Sequence, residues 1–505
     1  MITLINHQGL KLVKGIQIQT PSPSIGLAYL GAYLKKYNHS YTAIDACGEA
    51  LEQIHSSSLG SDIKIQGLTV SQVIERIPSN TQIFGFSCLF SHAWPLVLNL
   101  ASEIRKLFPN SLFVVGGEHP TAMSRQVLSS NLFDVVVLGE GEETFLELVE
   151  VFKTNKSLHD VSGIAYLDQN LDYIETAPRK RVQDIDQLPY PDWDSWSIEQ
   201  YIEHEQVTGI NLGRSMPILG SRGCPYTCTF CSTEEMWTRQ YIMREGEKLV
   251  QEMDYMKNKY RVTGFTFMDS TFIINRKKTL NFCNALIRKN LNISYQLPAG
   301  TRCEAFDEEL IHALEESGLK NFALAPESGS KMIRKAIKKQ INIDSFMSTV
   351  KLILRKTKMT LGCFIVIGFP EDTPQTMKET LEFVRKLAFL GVDDVTVSKF
   401  TPYPGSPYYD QLVKQGILKE DHGELGNIIS FYSDNSRSYS ENLPPKALHF
   451  WMIWMFLNFY IISFSVRPLK LLKNFWDYFS KGVENARYMR FLSEILVLRR
   501  KWKKT

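Results

Sequence analysis

Twice along this chain, short apolar runs alternate with stretches of helical periodicity, and that double alternation restricts the fold to parallel sheets wrapped by helices. In the first series the runs are Met1-Ile-Thr-Leu-Ile, Tyr41-Thr-Ala-Ile-Asp, Gln82-Ile-Phe-Gly-Phe-Ser, Leu112-Phe-Val-Val-Gly-Gly and Asp134-Val-Val-Val-Leu-Gly. Helical patterns start near Ile25 and recur near 93–107, 121–131 and 142–153. Strands with crossover helices in this rhythm predict a doubly wound, flavodoxin-like parallel sheet, which takes ligands beyond the carboxyl ends of its strands.

The second series runs Pro217-Ile-Leu-Gly, Gly264-Phe-Thr-Phe-Met-Asp, Tyr295-Gln-Leu-Pro-Ala-Gly, Asn321-Phe-Ala-Leu-Ala, Cys363-Phe-Ile-Val-Ile-Gly and Val395-Thr-Val-Ser-Lys-Phe. These units predict an incomplete (β/α)6 barrel, with chemistry at the carboxyl ends of its strands. Short strands, turns and the passage Leu188-Pro-Tyr-Pro-Asp-Trp-Asp separate the two series. The expected divisions are a sheet domain over 1–155, a linker over 156–205, the barrel over 206–430 and a helical, apolar and basic region over 431–505. A length of 505 residues agrees with about three units of domain size.

Lys and Arg number 57 against 54 Asp and Glu, a net charge of +3 that gives no ground for a nucleic-acid partner. The opening Met1-Ile-Thr-Leu-Ile-Asn-His lacks a basic start, a long apolar run and a cleavage site, which predicts a cytoplasmic, reducing setting. Clustered cysteines there point to metal or redox work and not to disulfides. Near the end, Ala447 to Val466 is long enough to span a bilayer, but His449, Asn458, Ser463 and Ser465 interrupt it, and Arg499-Arg-Lys-Trp-Lys-Lys follows. That combination fits a peripheral membrane contact better than a span, and a helix packed on the barrel equally well.

The cysteine group is Ser221-Arg-Gly-Cys224-Pro-Tyr-Thr-Cys228-Thr-Phe-Cys231, placed directly after a predicted strand. A cubane held by three thiolates leaves one iron open to another ligand. A structural zinc site would need a fourth ligand at short spacing, and the next cysteine is Cys283. The loop, including Phe230 before its last cysteine, resembles the Cys-x3-Cys-x2-Cys motif of the radical S-adenosylmethionine superfamily. The resemblance implies that Cys224, Cys228 and Cys231 hold a [4Fe–4S] cluster whose open iron chelates S-adenosylmethionine, giving a 5′-deoxyadenosyl radical after one-electron cleavage. An electron donor such as a flavodoxin or ferredoxin is then implied as a partner.

Other barrel positions extend the resemblance. Pro326-Glu327-Ser328-Gly-Ser resembles the turn whose carboxylate serves the ribose, and Ile365-Val-Ile-Gly368 resembles the adenine-contact strand. Thr401-Pro-Tyr-Pro-Gly-Ser-Pro resembles the end of the sixth strand. Arg302 is suited to pair with a carboxylate. Asp269 stands where many relatives carry two acidic residues, but Ser270 follows it.

In the first series the strand-end residues are Ser22, Ser24, Ser87, Ser91, Gly116, Gly117, His119, Thr121, Gly139, Glu140 and Gly141. Glycines there admit a large flat ligand and hydroxyls serve its polar groups, although a flavodoxin-like domain that binds a nucleotide or nothing has the same pattern. Gly-Gly-x-His-x-Thr followed by Gly-Glu-Gly-Glu resembles the cobalamin-binding half of radical enzymes that join cobalamin to this barrel. The loop expected to carry a cobalt-ligating histidine reads Asp45-Ala-Cys-Gly48, which implies cobalamin without a histidine lower ligand. His119 is expected to be a hydrogen-bonding loop residue and Cys47 a buried thiol.

Methyl transfer to an unactivated carbon of a small molecule, lipophilic or not, or of a natural-product precursor is the activity the resemblance best implies. An oxidative cyclase resembling the anaerobic magnesium-protoporphyrin enzyme is the second reading, and a non-catalytic cobalamin or redox sensor the third.

Overall fold

The computed structural model describes residues 1–12, 21–57, 59–60, 63–154, 156–206, 208–419, 437–481 and 489. The basic cluster at 499–504 and the boundary near 430 lie outside them. Five strands form the parallel part of the first sheet: β1 (Ile2–Asn6), β2 (Tyr41–Asp45), β3 (Ile83–Ser87), β4 (Leu112–Gly116) and β5 (Val135–Val137). Their order is β2-β1-β3-β4-β5, so the winding reverses between β1 and β3 and opens a crevice at the carboxyl ends of that pair. All five residues of β1 are buried, as a central parallel strand covered on both faces requires.

Two strands from the stretch between the series, β6 (Ile164–Leu167) and β7 (Tyr173–Glu175), extend this sheet beyond β5 as antiparallel neighbours. A small antiparallel sheet of Gly9–Leu12, Ile63–Gln66 and Ile54–Ser56 has no counterpart in the sequence reading, because its strands are too short to show a period.

The second sheet contains β8 (Ser215–Ile218), β9 (Gly264–Phe267), β10 (Ser294–Thr301), β11 (Leu319–Glu327), β12 (Thr360–Ile367) and β13 (Asp394–Lys399) in sequential order, all parallel. Among the described residues β8 and β13 do not pair, so the barrel is incomplete. The helix Pro445–Val466 lies against the β13 edge. Leu448, Met452, Met455 and Phe459 form its buried stripe, each side chain contributing roughly 2 kcal/mol by burial. Tyr460 donates to Asp394 on β13, and Arg385 to Asn458 at 2.9 Å. The inner face of this helix therefore packs on the barrel as a core element, while the opposite face stays open.

Candidate cofactor site at the barrel mouth

The cysteine loop leaves β8 through a short antiparallel pair, Ser221–Arg222 with Ile242–Met243. Gly223 follows at φ +84°, where an added Cβ would stand 2.2 Å from the Gln240 carbonyl oxygen, so only glycine fits. Asp269, at the end of β9, accepts from the Gly220 N–H at 3.0 Å and from the Ser221 hydroxyl. Its carboxyl is pushed up to about 6 by burial, and these bonds fix the start of the loop.

Cys224, Cys228 and Cys231 are all partly exposed, and the Cys231 N–H donates to the Cys228 carbonyl at 3.1 Å. Burial raises all three thiols, Cys231 to about 11, so the loop by itself holds neutral thiols and a metal must displace their protons. Among the described residues no three such donors converge closely enough for a single metal ion. A cubane takes each thiolate on a different iron, so three thiols spread along one loop fit it better than they fit zinc. Phe230 turns inward and packs on Phe369 at 5.7 Å between ring centres.

Charged side chains gather at the ends of β10 and β11 beside the loop. Glu327 closes β11 at φ +65°, a left-handed conformation unusual for a residue with a side chain. Its carboxylate pairs with Lys339 at 3.0 Å, both nearly buried. Burial opposes the Lys339 charge, and Glu327 more than restores it. Arg302 bonds Glu304 and the Gln340 carbonyl, and its guanidinium stacks 4.0 Å over the Tyr226 ring within the cysteine loop. A cleft of about 290 Å³ opens there, lined by Tyr226, Ile274, Arg276, Arg302, Ala305 and Asp307. Arg276 and Arg302 line this cleft together with Glu304 and Asp307, and the Glu327–Lys339 pair stands at the neighbouring end of β11; cations beside carboxylates at strand ends fit a ligand with an amino-acid end and a ribose.

Ser328 is buried against Thr380 at 3.1 Å and its carbonyl accepts from Arg334, so it shapes the turn and does not face the cleft. Gly368 has φ +88° and lies under Leu448 of the covering helix, where a Cβ would come within 2.6 Å. Tyr408, after β13, donates its N–H to the Thr229 carbonyl of the cysteine loop at 2.9 Å and its hydroxyl to Glu371 at 2.7 Å.

The turns of the first sheet reach the same loop. Arg222 donates to Glu140 at 2.8 Å and to Glu142 at 2.6 Å, while Arg181 donates to the other Glu140 oxygen at 2.7 Å. All four side chains are buried. Burial raises the Glu140 pKa, but Arg222 and Arg181 pull it below the usual carboxylate range. Glu140 thus joins the first sheet's turn to the cysteine loop. A second tie runs from the Ser232 hydroxyl to Glu118.

Thr121 bonds the Gly117 carbonyl at 2.8 Å and accepts from the Gly139 N–H at 3.2 Å, locking the two glycine turns together. Gly117 sits at φ +113° against the Cys88 carbonyl, while Gly116 closes β4 and Gly141 accepts the Phe145 N–H. His119, in the short helix Glu118–Ala122, bonds Ser91 at 3.0 Å and packs on Trp94. Ser87 is half-buried at the end of β3, Ser22 is exposed and Ser24 precedes the Ile25–Lys36 helix.

At the reversal point, Gln8 and His7 follow β1 and His92 follows β3. Gln8 Oε1 is buried with no hydrogen-bond partner among the described residues. Burial, then the charge His7 would carry, push His92 down to about 4, leaving a neutral polar lining that suits a large amide-bearing ligand. Sequence reasoning missed His7, His92, Arg222, Glu118 and Lys339. Only Arg222 carried a local signal, as the residue before Gly223 and Cys224.

The B12 binding domain family model matches residues 13–149, and the Radical SAM superfamily model matches residues 218–384. An uncharacterized methyltransferase of Pyrococcus horikoshii is 27% identical over 473 residues, 93% of each chain. The anaerobic magnesium-protoporphyrin IX monomethyl ester cyclase of Rubrivivax gelatinosus is 28% identical over 448 residues, 85% of this chain and 75% of its own. The radical S-adenosylmethionine methyltransferase TsrM of Kitasatospora setae shares the fold at a TM-score of 0.64 and 15% identity, over 82% of this chain and 76% of that one. The two matched domains imply an iron–sulfur cluster, S-adenosylmethionine and cobalamin as cofactors. With both cofactor domains in one polypeptide, joined at the cysteine loop, the chain belongs to the radical S-adenosylmethionine enzymes that carry a cobalamin-binding domain.

Proposed function

We propose that this enzyme transfers a methyl group to an unactivated carbon of a small, lipophilic molecule. The observation that carries the reading is the clasp of Glu140, Glu142 and Glu118 on the cysteine loop, which sets the ligand-binding ends of both sheets against one interface. The bound cofactors supply hydrogen abstraction from a substrate C–H bond and delivery of a methyl group to the carbon so exposed.

The protein's own work is placement and exclusion of water. Cys224, Cys228 and Cys231 hold the cluster, with Asp269 and Arg222 fixing their loop. Arg302 and Lys339 receive the amino-acid carboxylate of S-adenosylmethionine, Glu327 accepts from its ribose hydroxyls, and the Gly368 strand borders the adenine. Phe230 packed on Phe369 keeps the back of the loop dry. Ser87, Gly116 and Gln8 would line the cobalamin crevice, and the Asp45–Gly48 loop would offer the cobalt no histidine ligand. A flavodoxin or ferredoxin delivers the electron, and the C-terminal helices give a peripheral membrane contact.

Anaerobic reconstitution with cluster, hydroxocobalamin, reductant and S-adenosylmethionine tests the reading. Product one methyl heavier, with both 5′-deoxyadenosine and S-adenosylhomocysteine, is expected. The identity with a cyclase over most of this chain favours oxidative cyclisation as the second reading, for which 5′-deoxyadenosine forms without S-adenosylhomocysteine. No 5′-deoxyadenosine at all would leave the sensor.

A further inference from the structure

The helices Pro445–Val466 and Pro468–Lys481 follow one another with a single residue between them, and each has an exposed apolar stripe. On the first the stripe is Phe450, Trp454, Leu457 and Ile461; on the second it is Leu469, Leu472, Trp476 and Phe479. Spacings of three and four residues put each set on one helical face. The second stripe is the barer, with all four side chains between 63% and 79% exposed. Soluble surfaces rarely leave this much contiguous apolar area open, and two tryptophans within it suit a water–lipid boundary.

We infer that this face docks on a bilayer surface bearing anionic headgroups, deepening the membrane contact in the proposed function and resting on it. Charge chooses the occupant. Lys446 and Lys473 are exposed on the two helices, and residues 445–481 carry five Lys and Arg against the one carboxylate of Asp477. A second copy on the same face would bring like charges together, whereas acidic headgroups neutralise them.

Neither helix is free to span. The first is fixed to the barrel by Leu448, Met452, Met455 and Phe459, and Arg467 donates to the Ala388 and Phe389 carbonyls at 3.0 and 2.7 Å. Because Leu448 also lies over Gly368 and His449 contacts Lys399 at 3.3 Å, the docked helix borders the carboxyl ends of β12 and β13.

The test is flotation of the full-length holoenzyme with vesicles of phosphatidylcholine alone or mixed with phosphatidylglycerol. Wild type is expected to float with the acidic vesicles, less so as salt rises, and the W476E/F479E variant to lose about tenfold in partitioning while keeping its melting temperature. Equal flotation of variant and wild type, or no flotation of wild type on acidic vesicles, overturns the proposal. So does a dimer in light scattering that the variant converts to monomer without any vesicle binding. Production of 5′-deoxyadenosine and S-adenosylhomocysteine is followed in the same samples, so loss of docking with turnover intact is distinct from failure of the methyl-transfer reading.

Discussion

The Arg222 guanidinium, two residues before the first cluster cysteine, donates to Glu140 at 2.8 Å across the junction of the two domains, with both side chains almost fully buried. Glu142 and Arg181 complete the group, so two cations balance two carboxylates out of contact with water. A buried pair of this kind adds little by being present, but losing one member strands the others.

Replacing Arg222 with alanine therefore leaves Glu142 without its cation and should cost roughly 3 kcal/mol. Thermal unfolding checks the stability, and iron content per reconstituted chain checks the loop. Full iron occupancy with unchanged unfolding would refute the structural role given to this pair.

Cys224→Ala, Cys228→Ala and Cys231→Ala should each abolish the cluster's visible absorbance and all 5′-deoxyadenosine formation. Circular dichroism should be unchanged, because the thiols are only partly buried and carry no core packing. A variant that still assembles a full cluster would remove that cysteine from the ligand set.

Glu327→Gln removes the partner of buried Lys339. Binding of S-adenosylmethionine, measured calorimetrically on the reconstituted protein, should weaken by about tenfold or more, as expected for loss of a charge-assisted contact. Iron content should stay constant. Unchanged affinity would show that the pair serves the fold alone.

Asp372 accepts from the Gly368 and Phe369 N–H groups at 2.7 and 2.9 Å, and burial lifts its carboxyl from 3.8 to about 6. A raised folded pKa means the native state holds the proton more tightly, so this group's contribution is complete below about pH 4 and is lost as pH climbs through 6. The total is on the order of 3 kcal/mol. Wild type should gain stability relative to Asp372→Asn between pH 7 and pH 4, read from denaturant midpoints at several pH values. A difference independent of pH would contradict it.

Gly368→Ala meets two separate penalties, a positive φ and the Leu448 side chain. The variant should lose roughly 1–3 kcal/mol. Adding Leu448→Ala should relieve the steric share while introducing its own cavity cost, so the double variant should be more stable than the sum of the singles. Strict additivity would mean that the two do not touch.

The strands β1 to β5 and β8 to β13 were all legible as apolar runs, because all but the edge strand β2 are largely buried and a buried strand needs little besides β-branched and aromatic residues. The cysteine loop was legible for a different reason: its ligands lie within eight residues and need no tertiary partner to be recognised. Charge pairing was not. Glu140 reads as one more polar residue in a glycine turn, and nothing near it announces Arg222, 82 positions on. Lys339 is likewise hidden, since a helix separates it from Glu327. The C-terminal helix was read as membrane contact or core element, and its inner stripe is core.

The clasp at the domain junction also bears on how the protein is made. A chain synthesised from its amino terminus completes the turn that carries Glu140 and Glu142 before Arg222 and the cysteines exist. The loop is thus born into a prepared anionic socket, and iron loading becomes a late step of maturation that checks whether the amino-terminal half has folded first.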